Sequence, residues 1–136
     1  MNNATLGGHC RIGDYAILGG LSAVHQFVRI GEYAFVGGMS AIENDVIPFG
    51  SAIGNRASLG GLNIVGLTRN GFSREAIHEL RRAYRMLFAP EGTLKERLTD
   101  VEDEFSHDEN VRKIVDFIRE GGDRAICTPR SRGGDP

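Results

Sequence analysis

The sequence predicts a parallel β-helix followed by a small α-helical region, and two patterns carry this prediction. The first is a six-residue repeat in which an aliphatic residue recurs at every sixth position, namely Leu6, Ile12, Leu18, Val24, Ile30, Val36 and Ile42. The second is a change, from residue 72 onward, to apolar spacings of three and four, the period of an α-helix. A sustained hexad repeat is typical of a parallel β-helix, in which each hexad forms one flat side of a triangular coil.

Each hexad repeats two further positions. Glycine directly follows the aliphatic residue in five of the seven hexads, and a small or β-branched residue stands four places after it. We expect the aliphatic side chain to fill the coil interior and the glycine to permit the turn at or near the corner. Residues 18 apart should stack with a spacing of about 4.8 Å, because three hexads complete one coil. The expected interior ladders are Leu6 with Val24 and Ile42, and Ile12 with Ile30. An alternating β-sheet is the competing interpretation, and strict sixes disfavour it because six is not a hairpin period.

The repeat loses its phase after the seventh hexad. Pro48 cannot donate a hydrogen bond to a strand ladder, and the aliphatic-glycine pair returns only at Ile53, Leu59 and Val65. Residues 47–66 are therefore predicted to form an irregular final coil.

Three helices are predicted in the glycine-poor region that follows. Ser73 can cap the first helix. Thr93, with Glu96 three residues later, fits a capping box for the second. Asp108 can cap the third, and Gly121 stops it.

The predicted domain organisation has three parts. Residues 1–70 are coils of the β-helix, 71–122 a helical C-terminal domain, and 123–136 a disordered polar tail. Met1 leads into the repeat without the cap that solenoid ends need, so we expect the β-helix to be truncated at its N-terminus and the chain to be the later part of a longer array.

The composition narrows the function classes. The chain has 136 residues and a formal net charge of -2, which gives no reason to expect a nucleic-acid partner. Cys10 occupies a small interior position, and Cys127 lies in the polar tail, so no disulfide framework is expected and a reducing cytoplasm fits. The absence of an apolar run near 18 residues predicts no membrane span.

His9 and His25 interrupt the repeat and are the first candidate site residues. They are 16 positions apart, two short of a full coil, so they should lie near one corner on adjacent coils. A histidine satisfied by a neighbouring carbonyl is the structural alternative, but Gln26 and the Gly7-Gly8 pair nearby favour a site. A histidine here suits general-base chemistry on a bound hydroxyl. Backbone N–H groups of Gly7 and Gly8 would suit an oxyanion or a phosphate.

Metal and nucleophilic chemistry fit the residues less well. Zinc catalysis usually needs three protein ligands, whereas the repeat offers two histidines. The positions expected to hold small interior residues include Ser22, Ser40 and Cys10. A side chain inside the coil cannot reach a substrate, so none of the three is expected to act as a nucleophile. No cofactor and no metal are predicted.

Five segments carry a resemblance to a known family: Asn2-Asn3-Ala4-Thr5-Leu6-Gly7-Gly8-His9, Ala23-Val24-His25-Gln26-Phe27, Gly54-Asn55, Gly61-Leu62-Asn63-Ile64-Val65-Gly66-Leu67 and Gly71-Phe72-Ser73-Arg74-Glu75. Closely over about residues 2–90, the chain resembles the UDP-N-acetylglucosamine 3-O-acyltransferase family. The resemblance implies a left-handed β-helix, a homotrimer and a cytoplasmic enzyme of Gram-negative bacteria. Such enzymes move an (R)-3-hydroxyacyl group from acyl carrier protein to the 3-hydroxyl of UDP-N-acetylglucosamine, the first step of lipid A biosynthesis.

The resemblance also implies roles for individual residues near the reacting groups. His9 matches a histidine that lines the active site and helps to position substrate. Gly8 matches a glycine whose backbone N–H faces the acyl carbonyl. His25 and Gln26 match groups near the sugar nucleotide and the acyl chain.

Three further residues match positions that bind substrate. Gly38 matches the acyl-length ruler, where glycine leaves room for a long chain. Asn63 and Arg69 match donors to the nucleotide phosphates or the acyl donor.

Two departures from the family pattern bear on activity. The general-base histidine of the family lies in a His-x-x-His segment upstream of the Asn-Asn-Ala-Thr motif, and no residue here replaces it, so the chain alone is expected to be inactive. Thr68 and Asn70 stand where family members usually have basic residues, which weakens donor or phosphate binding.

Two other functions stay open from the sequence. One is a non-catalytic trimeric β-helix module for assembly or carrier binding, which would not discriminate acyl chain length. The other is a metalloenzyme of the carbonic-anhydrase-like β-helix class, which stoichiometric zinc at the corner of His9 and His25 would establish.

Overall fold

The computed structural model describes residues 4–130. Over these residues the chain forms nine short strands and then four helices. The strands are β1 (Thr5–Leu6), β2 (Arg11–Ile12), β3 (Ile17–Leu18), β4 (Ala23–Val24), β5 (Arg29–Ile30), β6 (Phe35–Val36), β7 (Ala41–Ile42), β8 (Gly50–Ile53) and β9 (Ser58–Leu62). The helices are α1 (Ile64–Arg69), α2 (Arg74–Leu87), α3 (Leu94–Glu104) and α4 (Glu109–Glu120).

The strands form three sheets, one for each side of the coil. The first sheet has the order β1-β4-β7, the second β2-β5, and the third β3-β6-β8 with β9 antiparallel at its edge. Leu6 lies opposite Val24, Val24 opposite Ile42, and Ile12 opposite Ile30, all in parallel register. Both predicted ladders of residues 18 apart are confirmed. Leu6 and Ile12 are themselves exposed, because no described coil covers their other side.

We number the turns of the coil by the sheet that they follow: corner 1 is residues 7–10 and 25–28, corner 2 is 13–16 and 31–34, and corner 3 is 19–22 and 37–40.

A non-glycine residue adopts the left-handed conformation in every one of these turns. It is the third residue after the aliphatic one, with φ between 57° and 66° at His9, Tyr15, Leu21, Phe27, Tyr33 and Met39. The glycine after the aliphatic residue has another task. A Cβ on Gly7 would lie 2.5 Å from the Gln26 backbone nitrogen, and one on Gly13 the same distance from that of Glu32. The expectation that these glycines permit the turn is therefore wrong, since they instead let adjacent coils approach closely.

Residues from far along the sequence close the irregular end of the coil. The described residues divide into two compact units: the coil unit, residues 4–63 with 123–130, and the helical unit, residues 64–122. In the first unit, Asp45 bridges Ile126 and Leu59 bridges Pro129. Residues 123–130 thus differ from the disordered tail predicted for 123–136, while 131–136 lie outside the described residues. The physical reason is that Ile126 and Cys127 bury their side chains.

The carboxylate of Asp45 binds residues 123–130, here called the returning segment, to the coil. It is fully buried, with the Nε of Arg29 2.9 Å and the Nε of Arg124 3.0 Å from its Oδ2. The Arg29 backbone N–H donates to Oδ1 at 2.9 Å. Burial by itself raises the pKa of Asp45, but the hydrogen bonds from Arg124 and Arg29 outweigh it, so the pKa lies below its usual value.

Both cysteines are free thiols of this unit. Cys127, which the sequence placed in a polar tail, is buried, and its Sγ donates to the Asn44 carbonyl at 3.4 Å. Burial raises the pKa of Cys127 to about 11, which keeps the thiol protonated and unreactive near neutral pH. Cys10 is only half-buried, and its Sγ lies 3.1 Å from the His25 carbonyl oxygen.

The second unit contains the predicted helices with their predicted caps. The Ser73 hydroxyl accepts from the Ala76 N–H at the start of α2, and Thr93 and Glu96 form a reciprocal capping box at α3. The Asp108 carboxylate caps α4. These three helices are confirmed.

The short helix α1 is a difference from the predicted final coil over 47–66. The Val65-Gly66 pair fits the hexad pattern, which would place Val65 inside a coil. Instead Val65 is exposed and Leu67 is fully buried, so this stretch presents its apolar residues with helical spacing. The coil unit ends at residue 63 rather than at 70.

Within residues 4–130, every helix is too short or too polar to cross a bilayer.

Candidate functional site

Corner 1 gathers four of the seven predicted site residues. The peptide of His25 and Gln26 lies against Gly7, whose added Cβ would be 3.0 Å from the His25 carbonyl carbon. The Gly8 carbonyl accepts a hydrogen bond from the Phe27 N–H at 2.9 Å. The two segments are therefore neighbours on adjacent coils, as the 16-residue spacing of the histidines predicts.

The side chains of this corner face outward. His9, His25 and Gln26 are all exposed. The left-handed conformation of His9 turns its imidazole onto the ring of Phe27, with centroids 5.1 Å apart and planes 3° from parallel. The described residues offer the imidazole no hydrogen bond, so this stacking restrains it while leaving its nitrogens open to a ligand.

The two glycines of corner 1 have different environments. The Gly7 N–H donates to the Val24 carbonyl at 2.7 Å and is used by the coil. The Gly8 N–H has no partner among the described residues, and a Cβ on Gly8 would meet nothing within 4 Å. Of the two donors that the sequence offers for an oxyanion, only Gly8 is available.

Gly38 lies at corner 3, on a different edge of the coil. It is exposed, and a Cβ there would be 3.3 Å from the Gly20 carbonyl oxygen. Any larger side chain would project from this edge.

Asn63 lies at corner 2 rather than at corner 1, and Arg69 belongs to the helical unit. The Asn63 side chain donates to the Tyr33 carbonyl at corner 2 with a distance of 2.9 Å. Arg69 is exposed in the last turn of α1, in the helical unit. A single copy of the coil unit thus brings together Gly8, His9, His25 and Gln26, but not the other three residues.

Residues 4–130 contain no group of three or more His, Cys, Asp or Glu side chains arranged to hold a metal ion.

Sequence reasoning missed two features next to this site. Phe27 was noticed only as part of a motif, although its spacing of 18 from His9 predicts that the two rings stack. The cluster of Asp45, Arg29 and Arg124 had no such signal, because Arg124 is 79 positions from Asp45.

Comparison with known proteins places the chain in a family. The family model described as "Udp N-acetylglucosamine O-acyltransferase; Domain 2" matches residues 45–127. The chain belongs to this family. The predicted fold class is confirmed: the protein is mainly β, with a left-handed parallel β-helix of hexapeptide repeats followed by a small α-helical C-terminal part.

Individual relatives carry related names. An acyl-[acyl-carrier-protein]--UDP-N-acetylglucosamine O-acyltransferase from Methylobacterium radiotolerans is 64% identical over 89 residues, which are 65% of this chain and 33% of that protein. The protein of the same name from Sinorhizobium fredii is 47% identical over 133 residues, 98% of this chain and 49% of that protein. The structure of UDP-N-acetylglucosamine acyltransferase from Arabidopsis matches with a TM-score of 0.87 and 37% identity, covering 96% of this chain and 47% of that one. The chain spans half or less of the length of these three proteins.

Proposed function

We propose that this chain is the C-terminal portion of an acyltransferase that moves an (R)-3-hydroxyacyl group from acyl carrier protein to the 3-hydroxyl of UDP-N-acetylglucosamine, in the first step of lipid A biosynthesis. The observation that carries the proposal is corner 1, where the open Gly8 N–H and the exposed His9, His25 and Gln26 lie on adjacent coils of a member of this family. The relatives' names support the substrates.

The proposed reaction assigns each residue of corner 1 a task. The sugar 3-hydroxyl attacks the thioester carbonyl, the C–S bond breaks, and the carrier thiol leaves with the proton that a base took from the hydroxyl. The Gly8 N–H faces the developing oxyanion, which a preorganised donor stabilises. His9 positions the substrate, and His25 and Gln26 contact the sugar nucleotide and the acyl chain. The general base comes from a segment that this chain lacks.

Gly38 is proposed to set the acyl chain length, and Asn63 and Arg69 to contact the phosphates or the acyl donor. Gly38 lies at corner 3 and His9 at corner 1, so one copy does not present both to one acyl chain. We therefore propose that the chain works as a homotrimer, in which corner 3 of one copy faces corner 1 of the next, in the cytoplasm.

Acyl transfer in two proteins tests the proposal. One is this chain. The other, the extended chain, joins to it the segment that precedes the matched region in the Methylobacterium radiotolerans relative. Both are assayed with 3-hydroxyacyl carrier protein and UDP-N-acetylglucosamine. We expect transfer only in the extended chain.

Each other outcome contradicts part of the proposal. Transfer by both proteins would show that His9 or His25 serves as the base. Transfer by neither, with carrier protein still bound, would favour the non-catalytic trimeric module. Stoichiometric zinc in the purified protein would favour the metalloenzyme.

The ruler and the trimer have tests of their own. Gly38→Met in the extended chain should shift the preference from long to short acyl donors, and an unchanged preference would contradict the ruler. Light scattering should give the mass of three copies, and a stable monomer would contradict the trimer.

A further inference from the structure

We propose that Phe27 is a positioning residue that holds the His9 imidazole and the Gly8 peptide in their working geometry, and that Arg124 of the returning segment anchors it. The proposal rests on the proposed function for the roles of His9 and Gly8. Its structural part concerns this chain alone.

Phe27 contacts both residues that stand closest to the proposed chemistry. Its N–H donates to the Gly8 carbonyl at 2.9 Å, which orients the peptide on the other side of Gly8 from the open N–H. Its ring stacks on the imidazole of His9 within the centroid range of offset-stacked aromatic pairs. The imidazole is exposed and makes no hydrogen bond with the described residues, so the stack on the Phe27 ring restrains it.

Phe27 is itself held from the opposite side. The Arg124 guanidinium donates to the Phe27 carbonyl oxygen through Nη2. The same guanidinium is fixed by Asp45, with Nε 3.0 Å from Oδ2 and Nη2 3.1 Å from Oδ1. Asp45 is fully buried and also binds Arg29, so it is a rigid anchor. The segment 123–130, which follows the helices in the sequence, thereby contacts Phe27, on whose ring His9 stacks.

Corner 2 shows which part of this arrangement is general. Tyr15 and Tyr33 occupy the same turn positions and stack with centroids 4.8 Å apart. Stacking across coils is therefore a property of the turn. A side-chain donor on the second carbonyl is also common to both corners, since Asn63 donates to the Tyr33 carbonyl at 2.9 Å. Corner 1 differs in having an imidazole as one ring and in having a charged donor, Arg124, that is paired with the buried Asp45.

Nuclear magnetic resonance of the 136-residue chain tests the structural part. The chain has four histidines, so their ring protons can be assigned. The ring protons of His9 should be shifted upfield by the ring current of Phe27. Phe27→Leu should remove that shift because it removes the aromatic ring, whereas Phe27→Tyr should keep it. Arg124→Met should reduce the shift because it removes the donor to the Phe27 carbonyl.

The matched control is Tyr15→Leu, which removes the stack at corner 2 and should leave His9 unchanged. A His9 signal that ignores Phe27→Leu would overturn the proposal. So would a signal that moves as much with Tyr15→Leu, because Phe27 would then act only through the general stability of the coil. Indifference to Arg124→Met would overturn the anchoring step.

Kinetics of the extended chain test the functional part. Phe27→Leu should lower kcat on the order of ten- to hundred-fold, with a smaller change in KM for UDP-N-acetylglucosamine, since misplacing a positioned group costs about that much. Phe27→Tyr should recover most of the rate. An unchanged kcat would overturn the positioning role. If the parent extended chain is inactive, the proposed function fails while the His9 signals still decide whether Phe27 holds the imidazole.

Discussion

Corners 1 and 2 of the coil share one backbone conformation but present different side chains. At both, the turn residue has positive φ and its ring stacks on the equivalent ring one coil further, His9 on Phe27 at corner 1 and Tyr15 on Tyr33 at corner 2. At corner 2 the stack continues into Phe49, which is fully buried. At corner 1 the stack ends on Phe27, whose side chain is half-exposed and whose backbone carbonyl accepts a hydrogen bond from Arg124.

The difference teaches how a repeat makes a site. A left-handed backbone costs a non-glycine residue about 1–2 kcal/mol, and an aromatic pair contributes about 0.5–1.5 kcal/mol beyond its buried area. Each stacked pair joins two left-handed residues, whose combined cost is about 2–4 kcal/mol, so stacking offsets part of the cost of the turns at either corner. The same turn conformation with stacked side chains can therefore stabilise the coil at corner 2 and hold an exposed imidazole at corner 1.

The largest expected effect is at the buried end of corner 2. Phe49→Ala removes a fully buried ring and should lower the free energy of unfolding by about 3–5 kcal/mol, because of lost burial and the cavity left behind. Urea unfolding followed by circular dichroism measures it. Phe27→Ala at corner 1 is the comparison and should cost clearly less, since that ring is 50% exposed. Equal losses would break the distinction between the two corners.

The next effect tests the anchor behind corner 1. Asp45→Asn leaves Arg29 and Arg124 without their buried counter-charge and should cost about 3 kcal/mol, toward the low end for broken buried ion pairs because Arg124 is partly exposed. The same unfolding experiment measures it. Asp14→Asn, an exposed carboxylate of corner 2, is the control and should change stability little. A similar loss in both variants would contradict a special role for Asp45.

A smaller effect separates the two glycines of corner 1. Gly7→Ala forces a Cβ against the Gln26 backbone and should cost about 1–3 kcal/mol, as overpacking does. Gly8→Ala meets open space and should leave the stability nearly unchanged. Thermal unfolding of the two variants decides the point, and a destabilised Gly8→Ala would show that this turn is less open than its geometry indicates.

The smallest effect is the acid dependence of the Asp45 cluster. Burial alone would raise the pKa of Asp45, but hydrogen bonds from Arg124 and Arg29 leave it lowered in the folded state. The stabilisation is therefore fully present above the unfolded pKa of about 3.9 and is lost as the pH falls through the folded value. The difference in unfolding free energy between wild type and Asp45→Asn should narrow below about pH 4. A difference that stays constant as the pH falls well below about 4 would mean that the carboxylate is not held ionised by the arginines.

The sequence alone determined the features that depend on near neighbours or on the period of the coil. Leu6, Val24 and Ile42 pair as predicted because three hexads close one turn, and residues 18 apart then have to stack. The same arithmetic placed His9 and His25 at one corner. The caps at Ser73 and Thr93 were predictable because their partners are three residues away.

Only the tertiary structure decided what depends on contacts between distant parts of the chain. The role of Gly7 became clear from the backbone of the next coil, because spacing does not distinguish a turn glycine from one that allows close approach. The returning segment looked disordered from its composition, yet Ile126 and Cys127 are buried, and Arg124 meets a carboxylate 79 positions earlier. The entropy lost when residues 123–130 become ordered is offset by the burial of Ile126 and Cys127 and by the ion pair between Arg124 and Asp45. Both contributions require the folded coil, which positions Asp45 next to Arg29.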